Sequence, residues 1–305
     1  MIVDIQTHVW AVPRQLGDAI GRVLCADDRE PWERIDAGIA AHQRAMVPAR
    51  YAIVHGLVSD HGQAAVTHRH VADAVAHDPE RLLGFGGIDP QAPGLDESLD
   101  EAIELGMVGV TVSPAGLAMH PCHSQAMHLY DRCQQLKLPV FFHGGALFGD
   151  RAVMAFTRPE HFDEIARSFP DLRLIIAQLG RPWIEPTLDL LKTHQHLYAD
   201  TSGLVNQPWP LYNALVQAHH YGVTDKLLFA SGFPLCVPQE AIMNIYGINR
   251  FTQGTHLPTV PRQQLRGIVE RDALSCLGIE VDADDEPDNG QSQEALVKVV
   301  KESNT

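Results

Sequence analysis

The chain has 305 residues, of which 45% are hydrophobic and 20% charged, and its formal net charge is -15. This size exceeds a minimal domain and suits one large α/β barrel, which typically takes about 250 residues. The negative charge, with no cluster of Lys or Arg to oppose it, excludes a surface that binds nucleic acid phosphates. No apolar run approaches the roughly 18 residues that span a bilayer.

Short β-rich runs alternate with amphipathic stretches along the chain. The runs predicted as strands are residues 2–5, 51–57, 82–88, 108–112, 140–142, 172–177, 197–199 and 227–230. Helix boundaries are visible between them: a helical stripe stops at Gly106, and Pro159 marks the start of another helix. Strands that alternate with crossover helices form parallel sheets, and eight of them predict a closed (β/α)8 TIM barrel.

Two segments do not follow this repeat. Residues 11–32 contain Pro13, Gly17 and Gly21 beside a charged stretch, which predicts a long loop on the face where barrels hold their active sites. From residue 281 the sequence is acidic and polar, which predicts a barrel domain at 1–280 and a disordered tail at 281–305. The N-terminus lacks the features of a secretory signal, so we expect a cytoplasmic protein.

Five segments, in order and at matching spacing, carry a resemblance to a known family. They are residues 2–8, 81–90, 136–144, 172–180 and 228–234. They resemble the first, third, fifth, sixth and eighth strand segments of the amidohydrolase superfamily, in the branch that includes aminocarboxymuconate semialdehyde decarboxylase and pyrone-dicarboxylate lactonase. The resemblance implies a TIM barrel that acts as a hydrolase of C–O or C–N bonds, or as a carboxy-lyase.

The resemblance also implies a divalent metal at the strand ends, held by imidazole and carboxylate groups. This sequence has His8 and His143 at two of the ligand positions, whereas Gln6 and Gln178 stand at two histidine positions and Gly232 at the aspartate position. Carboxamide oxygens suit Zn²⁺ badly, and glycine offers no ligand. We therefore expect no cofactor; the alternative is a divalent metal such as Zn²⁺, weakly bound by His8 and His143.

Small and neutral polar side chains are predicted to surround the mouth of the barrel. His8 and His143 are the candidate catalytic residues, because imidazole can act as a general base near neutral pH. Arg181, or Arg151 after the fifth strand, would neutralise a carboxylate on the ligand; the alternative for each is an ion pair at the surface. The predicted ligand-binding residues are Gln6, Thr111, Ser113, Gln178, Arg181 and Ser231.

Two functional hypotheses follow. The first is a barrel that has lost most of the family's metal ligands and is non-catalytic or binds a small ligand. The alternative is a hydrolase or decarboxylase, with or without a metal, that acts on a small organic acid or lactone. Both hypotheses predict a small-molecule ligand, and a ligand that bears a carboxylate is favoured. Neither hypothesis predicts binding to nucleic acid or to a membrane. The oligomeric state stays open, with a homo-oligomer among the alternatives.

Other histidines and cysteines are candidate metal ligands by residue type. His68 and His70 lie two residues apart in a predicted helix, where their side chains do not face each other, and we expect both to be solvated. The residues His120, Cys122, His123 and His128 are of metal-binding types, but their spacing matches no zinc motif, so a metal site there is the less favoured hypothesis. The five cysteines lack C-x-x-C spacing and are expected to be free thiols.

Overall fold

The computed structural model of the protein describes residues 1–10, 15–16, 35–59, 64–144 and 152–281. Within these residues, eight parallel strands form one sheet, and each strand pairs with the next. Every predicted strand run overlaps one of them, and the predicted TIM barrel is confirmed. In sheet order the strands are β1 (Val3–Thr7), β2 (Tyr51–His55), β5 (Leu82–Gly87), β6 (Gly109–Val112), β7 (Val140–Phe142), β8 (Leu174–Ile176), β9 (Leu197–Asp200) and β10 (Leu227–Leu228).

The first and last strands meet along a seam that closes the barrel. The backbone N–H of Ile5 donates to the carbonyl of Phe229 at 3.1 Å, and that of His8 donates to the carbonyl of Phe233 at 3.0 Å. Gly232 donates in the other direction, to the carbonyl of Gln6 at 3.2 Å. Because these bonds lie at the carboxyl end of β1, the seam also fixes the strand end that carries Gln6 and His8.

Helices follow the strands and cover the outside of the barrel. Two predicted boundaries are confirmed, since Pro159 is the first residue of its helix and Gly106 has a φ of 78° just after another. The helices are α1 (Ile39–Ala45), α2 (His68–Val75), α3 (Leu95–Glu104), α4 (Ser124–Gln135), α5 (Pro159–Ser168), α6 (Ile184–Thr193), α7 (Pro208–Tyr221), α8 (Pro238–Tyr246), α9 (Arg262–Glu270) and α10 (Ala273–Leu277).

The core has two layers, because successive side chains of a barrel strand point alternately into the barrel and outward to the helices. Inside the barrel, buried side chains such as Ile5, Phe85 and Phe141 form one apolar cluster. The same cluster includes Leu274 and Leu277 of α10 together with residues at the starts of strands, so α10 covers the amino-terminal end of the barrel. Alternate strand residues point outward and pack against the helices.

One hairpin interrupts the repeat and was not predicted. Strands β3 (Leu57–Ser59) and β4 (Ala64–Val66) pair antiparallel directly after β2. The predicted long loop at 11–32 and the predicted tail lie almost wholly outside the described residues. Within the part of the chain that the structure describes, no helix has the length and apolar character needed to cross a membrane.

Candidate functional site

The carboxyl ends of the strands bring the predicted site residues to one end of the barrel. Seven of these side chains are buried there, and His8, at 9% exposure, is the most accessible of them. Gln6 lies in β1 and His8 directly after it, Thr111 lies in β6 and Ser113 directly after it, and the other three residues follow the ends of β7, β8 and β10. The buried set is Gln6, His8, Thr111, Ser113, His143, Gln178 and Ser231.

His8 and His143 form a pair of neutral imidazoles. Their Nε2 atoms are 3.4 Å apart, and His143 Nδ1 lies 3.3 Å from the carbonyl oxygen of Gly144. A carbonyl only accepts, so His143 carries its proton on Nδ1 and its Nε2 accepts from Nε2–H of His8. Burial lowers the pKa of His143 to about 4 and the pKa of His8 well below its usual value, the latter helped by the neighbouring rings of His143 and His55.

His55, at the end of β2, is a site residue that the sequence reasoning missed. Its Nε2–H donates to the carbonyl of Ile5 at 2.8 Å, and its Nδ1 accepts from the Thr111 hydroxyl at 2.7 Å. Desolvation lowers the pKa of His55 to about 3. Thr111, predicted to bind ligand, is therefore committed to a histidine whose ring centroid lies 5.9 Å from that of His8. The available signal was its position at a strand end.

Two buried carboxyl groups, Asp4 and Asp200, also belong to this end of the barrel. Asp4 Oδ1 accepts from the backbone N–H of Ser231 at 3.0 Å, and Asp200 Oδ1 accepts from the Ser202 hydroxyl at 2.6 Å. Their Oδ2 atoms are buried without a hydrogen-bond partner. Desolvation, only partly offset by these bonds, raises the pKa of Asp4 to about 7 and that of Asp200 to about 6. The protonated form of each is stabilised by burial.

Gln178 follows β8 in a left-handed backbone conformation, with a φ of 57°. Its backbone N–H donates to Asp200 Oδ1 at 2.9 Å. Its carboxamide is enclosed by two glycines, because a Cβ at Gly144 would lie 3.2 Å from Gln178 Oε1 and one at Gly203 would lie 3.0 Å from Gln178 Nε2. A Cβ at either position would require the carboxamide to shift by a few tenths of an ångström.

Gly232, in the turn after the last strand, adopts a positive φ of 70°, a conformation that favours glycine. A Cβ there would meet the Cβ of Ser202 at 3.2 Å. Ser231 beside it holds the turn, since its Oγ accepts from the N–H of Phe233 at 3.1 Å while its backbone binds Asp4. Ser231 is thus occupied by protein groups, and Gly232 sits where space is limited.

The remaining predicted site residues have fewer hydrogen bonds to other protein groups. Gln6 Oε1 and Ser113 Oγ are buried and have no hydrogen-bond partner, so each could serve a ligand. Arg181 is exposed on the rim, where its guanidinium donates to Gln207 Oε1 at 3.0 Å, and it forms no ion pair with a carboxylate of the described residues. Arg151 lies outside the described residues.

A second group of metal-binding side chains lies away from the barrel mouth. Ligand atoms of His120, Cys122 and His161 lie within 4.8 Å of one another. The sequence grouped His120 and Cys122 with His123 and His128, and these two partners were wrong. His123 caps α4 and His128 binds Asp96, whereas His161 comes from the first turn of α5. Across the described ranges, this is the one set of three such ligands, and none occurs at the barrel mouth.

Two further expectations can be compared with the structure. His68 is buried at 7% exposure and its Nε2 lies 3.1 Å from Ser98 Oγ, so the expectation that it is solvated was wrong. Its burial follows from its position on the inward face of α2, which sequence spacing alone did not reveal. The four cysteines among the described residues, Cys122, Cys133, Cys236 and Cys276, are free thiols, as expected.

Comparison with solved structures supports the fold. A TIM-barrel protein from Bordetella bronchiseptica is 21% identical, with a TM-score of 0.71 over 91% of this chain and 99% of that one. A probable 2-pyrone-4,6-dicarboxylic acid hydrolase from Acinetobacter baumannii, solved with citric acid, is 15% identical, with a TM-score of 0.62 over 91% and 99%. An amidohydrolase from Burkholderia multivorans with bound zinc is 14% identical, with a TM-score of 0.68 over 92% and 100%.

Sequence comparison identifies the family. No curated protein matches the chain. The family model described as amidohydrolase matches residues 3–271, which include all eight barrel strands and nine of the ten helices in full. Since this match covers far more than half of the sequence, the chain belongs to the amidohydrolase family.

Proposed function

We propose that this barrel binds a small organic acid at its mouth and that the family's metal site is degenerate in it. The observation that carries the proposal is the donor set. His8 and His143 converge to 3.4 Å, but no third imidazole, thiolate or carboxylate of the described residues joins them within 4.8 Å. The other predicted residues at the mouth offer amide or hydroxyl oxygens, Gly232 offers no side chain, and His55 is already hydrogen-bonded through both ring nitrogens. This set does not fit a catalytic Zn²⁺, which takes three protein ligands and a water.

The protonation states favour binding over base catalysis. A general base works best when its pKa lies near the working pH, and His143, with a pKa of about 4, is a weak proton acceptor there. A charged ligand in this neutral site needs hydrogen-bond donors or a cation. Ser113 Oγ, buried without a partner, can donate to a carboxylate, Gln6 Oε1 can accept from a hydroxyl group of the ligand, and Arg181 stands on the rim to meet a carboxylate. The citric acid in the Acinetobacter relative is a ligand of this chemical class.

Citrate is the probe for the binding proposal. We expect citrate to raise the melting temperature of the protein and the Arg181→Gln variant to bind it about tenfold more weakly, because one charge-assisted contact is lost. Arg44→Gln is the matched control, since Arg44 is an exposed arginine on α1. Equal citrate affinity in the parent and Arg181→Gln, or no binding by the parent, would contradict the proposal.

The metal proposal is tested by a difference in metal content. We expect the same content of Zn, Mn and Fe in the parent and in the His8→Asn/His143→Asn variant, both purified without added metal. This comparison is insensitive to ions bound elsewhere on the chain. A full equivalent of metal per chain that disappears in the variant would show that the barrel mouth does hold an ion.

The second candidate is an enzyme that hydrolyses or decarboxylates a small acid or lactone. It is favoured by Asp200, whose pKa of about 6 and unpartnered Oδ2 are typical of a carboxyl group placed for proton transfer. Assays with a panel of lactones and aromatic acids would detect it. Turnover by the parent that Asp200→Asn abolishes, without loss of citrate affinity, would establish this candidate over the non-catalytic one.

A further inference from the structure

A cluster of soft ligands lies between two βα units, outside the barrel mouth. His120 and Cys122 belong to the loop that leads from β6 to α4, and His161 belongs to the first turn of α5. The backbone segments are separated by 39 residues between Cys122 and His161, so the cluster depends on the fold and not on a local sequence motif. From these positions we infer that His120, Cys122 and His161 form a binding site for Zn²⁺ or a similar soft divalent ion.

The spacing of the ligand atoms is close to what a metal needs. One ligand atom from each residue lies within 4.8 Å of the others. Tetrahedral coordination with Zn–N and Zn–S bonds of about 2.0–2.3 Å places ligand atoms about 3.4–3.8 Å apart. The remaining contraction of about 1 Å is within reach of small side-chain rotations, because His120 is exposed and the other two residues are half-buried.

The hydrogen bonds around the cluster involve all three ligands: the backbone N–H of Cys122 donates to His120 Nδ1 at 3.1 Å, and an ion bound at that nitrogen would replace this bond. His161 Nε2 lies 3.2 Å from the carbonyl of Ala155, which can only accept, so Nε2 carries the proton and Nδ1 carries the lone pair. A histidine that donates its other N–H to a backbone carbonyl is the usual arrangement of a metal ligand. The Cys122 thiol donates to the carbonyl of His161 at 3.6 Å, which keeps the sulfur beside that residue.

A fourth group stands next to the thiol. Glu164, one turn after His161 on α5, lies within hydrogen-bonding reach of the Cys122 sulfur. The carboxylate can accept the proton that Cys122 releases on binding an ion, while the ligand set stays His120, Cys122 and His161.

The donor types decide which ion the site selects. Thiolate and imidazole favour Zn²⁺, Co²⁺ and Cu⁺ over Mg²⁺ and Ca²⁺, which prefer oxygen ligands. The three residues also connect the loop before α4 to the start of α5, so a bound ion would cross-link two neighbouring units of the barrel. The ion would bind the folded state and stabilise it by linkage.

Co²⁺ is the probe that tests the site, because its thiolate complexes have a ligand-to-metal charge-transfer band and tetrahedral d–d bands. We expect one Co²⁺ per chain with a thiolate band, displacement by Zn²⁺ but not by excess Mg²⁺, and a rise in melting temperature of about 5 °C at saturating Zn²⁺. Cys122→Ser should abolish the band, and His161→Ala should weaken binding at least about tenfold.

Two matched controls accompany these variants. Cys276→Ser removes a half-buried thiol on α10, and His128→Ala removes an exposed imidazole on α4 that bonds to Asp96. Both should bind Co²⁺ as the parent does. Absence of the thiolate band in the parent, or an unchanged band in Cys122→Ser, would overturn the inference. Binding that is lost in His8→Asn/His143→Asn instead would place the ion in the barrel mouth and also overturn it.

Discussion

Asp4 keeps its proton at a pH where an exposed aspartate has lost it. This difference makes the free energy of unfolding depend on pH in a direction that can be measured. Its pKa is about 7 in the folded protein against 3.8 in the unfolded chain. Between these values the folded state binds a proton that the unfolded state has released, so the free energy of unfolding falls as pH rises. The contribution of Asp4 to the stability of the folded state is fully present below about pH 4, and it is lost once the pH rises past about 7.

The buried histidines act in the opposite direction, which is why a variant is needed. His143 and His55 have lowered pKa values of about 4 and about 3, so the unfolded chain binds protons that the folded protein does not. Their contribution to stability is present above pH 6.5 and is lost as pH falls through the unfolded pKa toward the folded one. The parent protein therefore shows the sum of two opposing slopes.

The first prediction isolates Asp4 by difference. Relative to Asp4→Asn, the parent should lose roughly 2–3 kcal/mol of unfolding free energy between pH 5 and pH 8, measured by urea denaturation. Asp73→Asn, at an exposed position on α2, should keep the slope of the parent. Identical slopes for the parent and Asp4→Asn would show that Asp4 is ionised normally in the folded protein.

The second prediction concerns the hydrogen bond between Thr111 and His55. Thr111→Val keeps the shape of the side chain but leaves Nδ1 of the fully buried His55 without a donor, which should cost about 1–3 kcal/mol. Thr193→Val is the control, because the Thr193 hydroxyl bonds within an exposed helix end and its loss should cost under about 0.5 kcal/mol. A Thr111→Val variant as stable as the control would disprove a buried bond of this kind.

At the scale of elements, the turn after β10 is more constrained than an ordinary left-handed turn. Gly232 has a φ of 70° and its missing Cβ would lie 3.2 Å from Ser202 Cβ. Gly222, which ends α7, has a φ of 74°, and a Cβ added there would meet no atom within 4 Å. The two glycines therefore share the backbone conformation and differ in the space around them.

The third prediction uses this pair. Gly222→Ala should cost about 1–2 kcal/mol for the left-handed conformation alone, and Gly232→Ala should cost more because Ser202 must also move. Ser202→Gly combined with Gly232→Ala should bring the cost back toward that of Gly222→Ala. Equal costs for the two single variants, measured by thermal unfolding, would mean that the contact with Ser202 is relieved without strain.

Sequence patterns predicted the elements better than they predicted the site. The eight strand runs and the boundaries at Gly106 and Pro159 were readable because apolar periodicity and Pro and Gly positions are local properties. The β3–β4 hairpin was missed because strands of three residues are too short to show alternation. His68 was assigned to solvent for a related reason: helical spacing indicates that one face is buried but not which one.

The site was partly predictable because strand ends converge in any barrel. The resemblance to the family's strand segments predicted His8 and His143 as neighbours, and their Nε2 atoms lie 3.4 Å apart. His55 and Asp4 were missed because the comparison with family motifs directed attention to five positions. The pKa values of Asp4 and Asp200 could not be predicted, since they depend on burial from several distant segments. His161 joined Cys122 only through the packing of α5 beside the loop before α4.

At the scale of the whole molecule, α10 packs against the barrel near the end of the described chain. Ala273, Leu274 and Leu277 are buried against the amino-terminal end of the barrel, and Ile279 is buried after them. We propose that residues 282–305 add no packing to the domain, in keeping with their acidic and polar sequence.

The fourth prediction compares two truncations. A chain that ends at Val281 should keep its melting temperature within about 2 °C of the parent, because the segment removed is acidic and polar in sequence. A chain that ends at Asp272 loses α10 and with it two buried leucines, each worth about 2–5 kcal/mol, and should melt far lower or fail to fold. A large loss of stability in the longer truncation would show that the tail packs on the barrel.

The seam between β1 and β10 has a consequence for how the chain is made. The bond from Ser231 to Asp4 joins residues 227 positions apart, and the backbone bonds beside it span similar separations. A nascent chain therefore carries β1 as an unpaired edge on one side until nearly all of the barrel has left the ribosome, and its growing sheet has a second open edge. Translation that stalls before residue 227 yields a curved sheet with two unpaired edge strands. Such fragments should be captured by chaperones or aggregate, whereas the finished chain pairs β1 with β10.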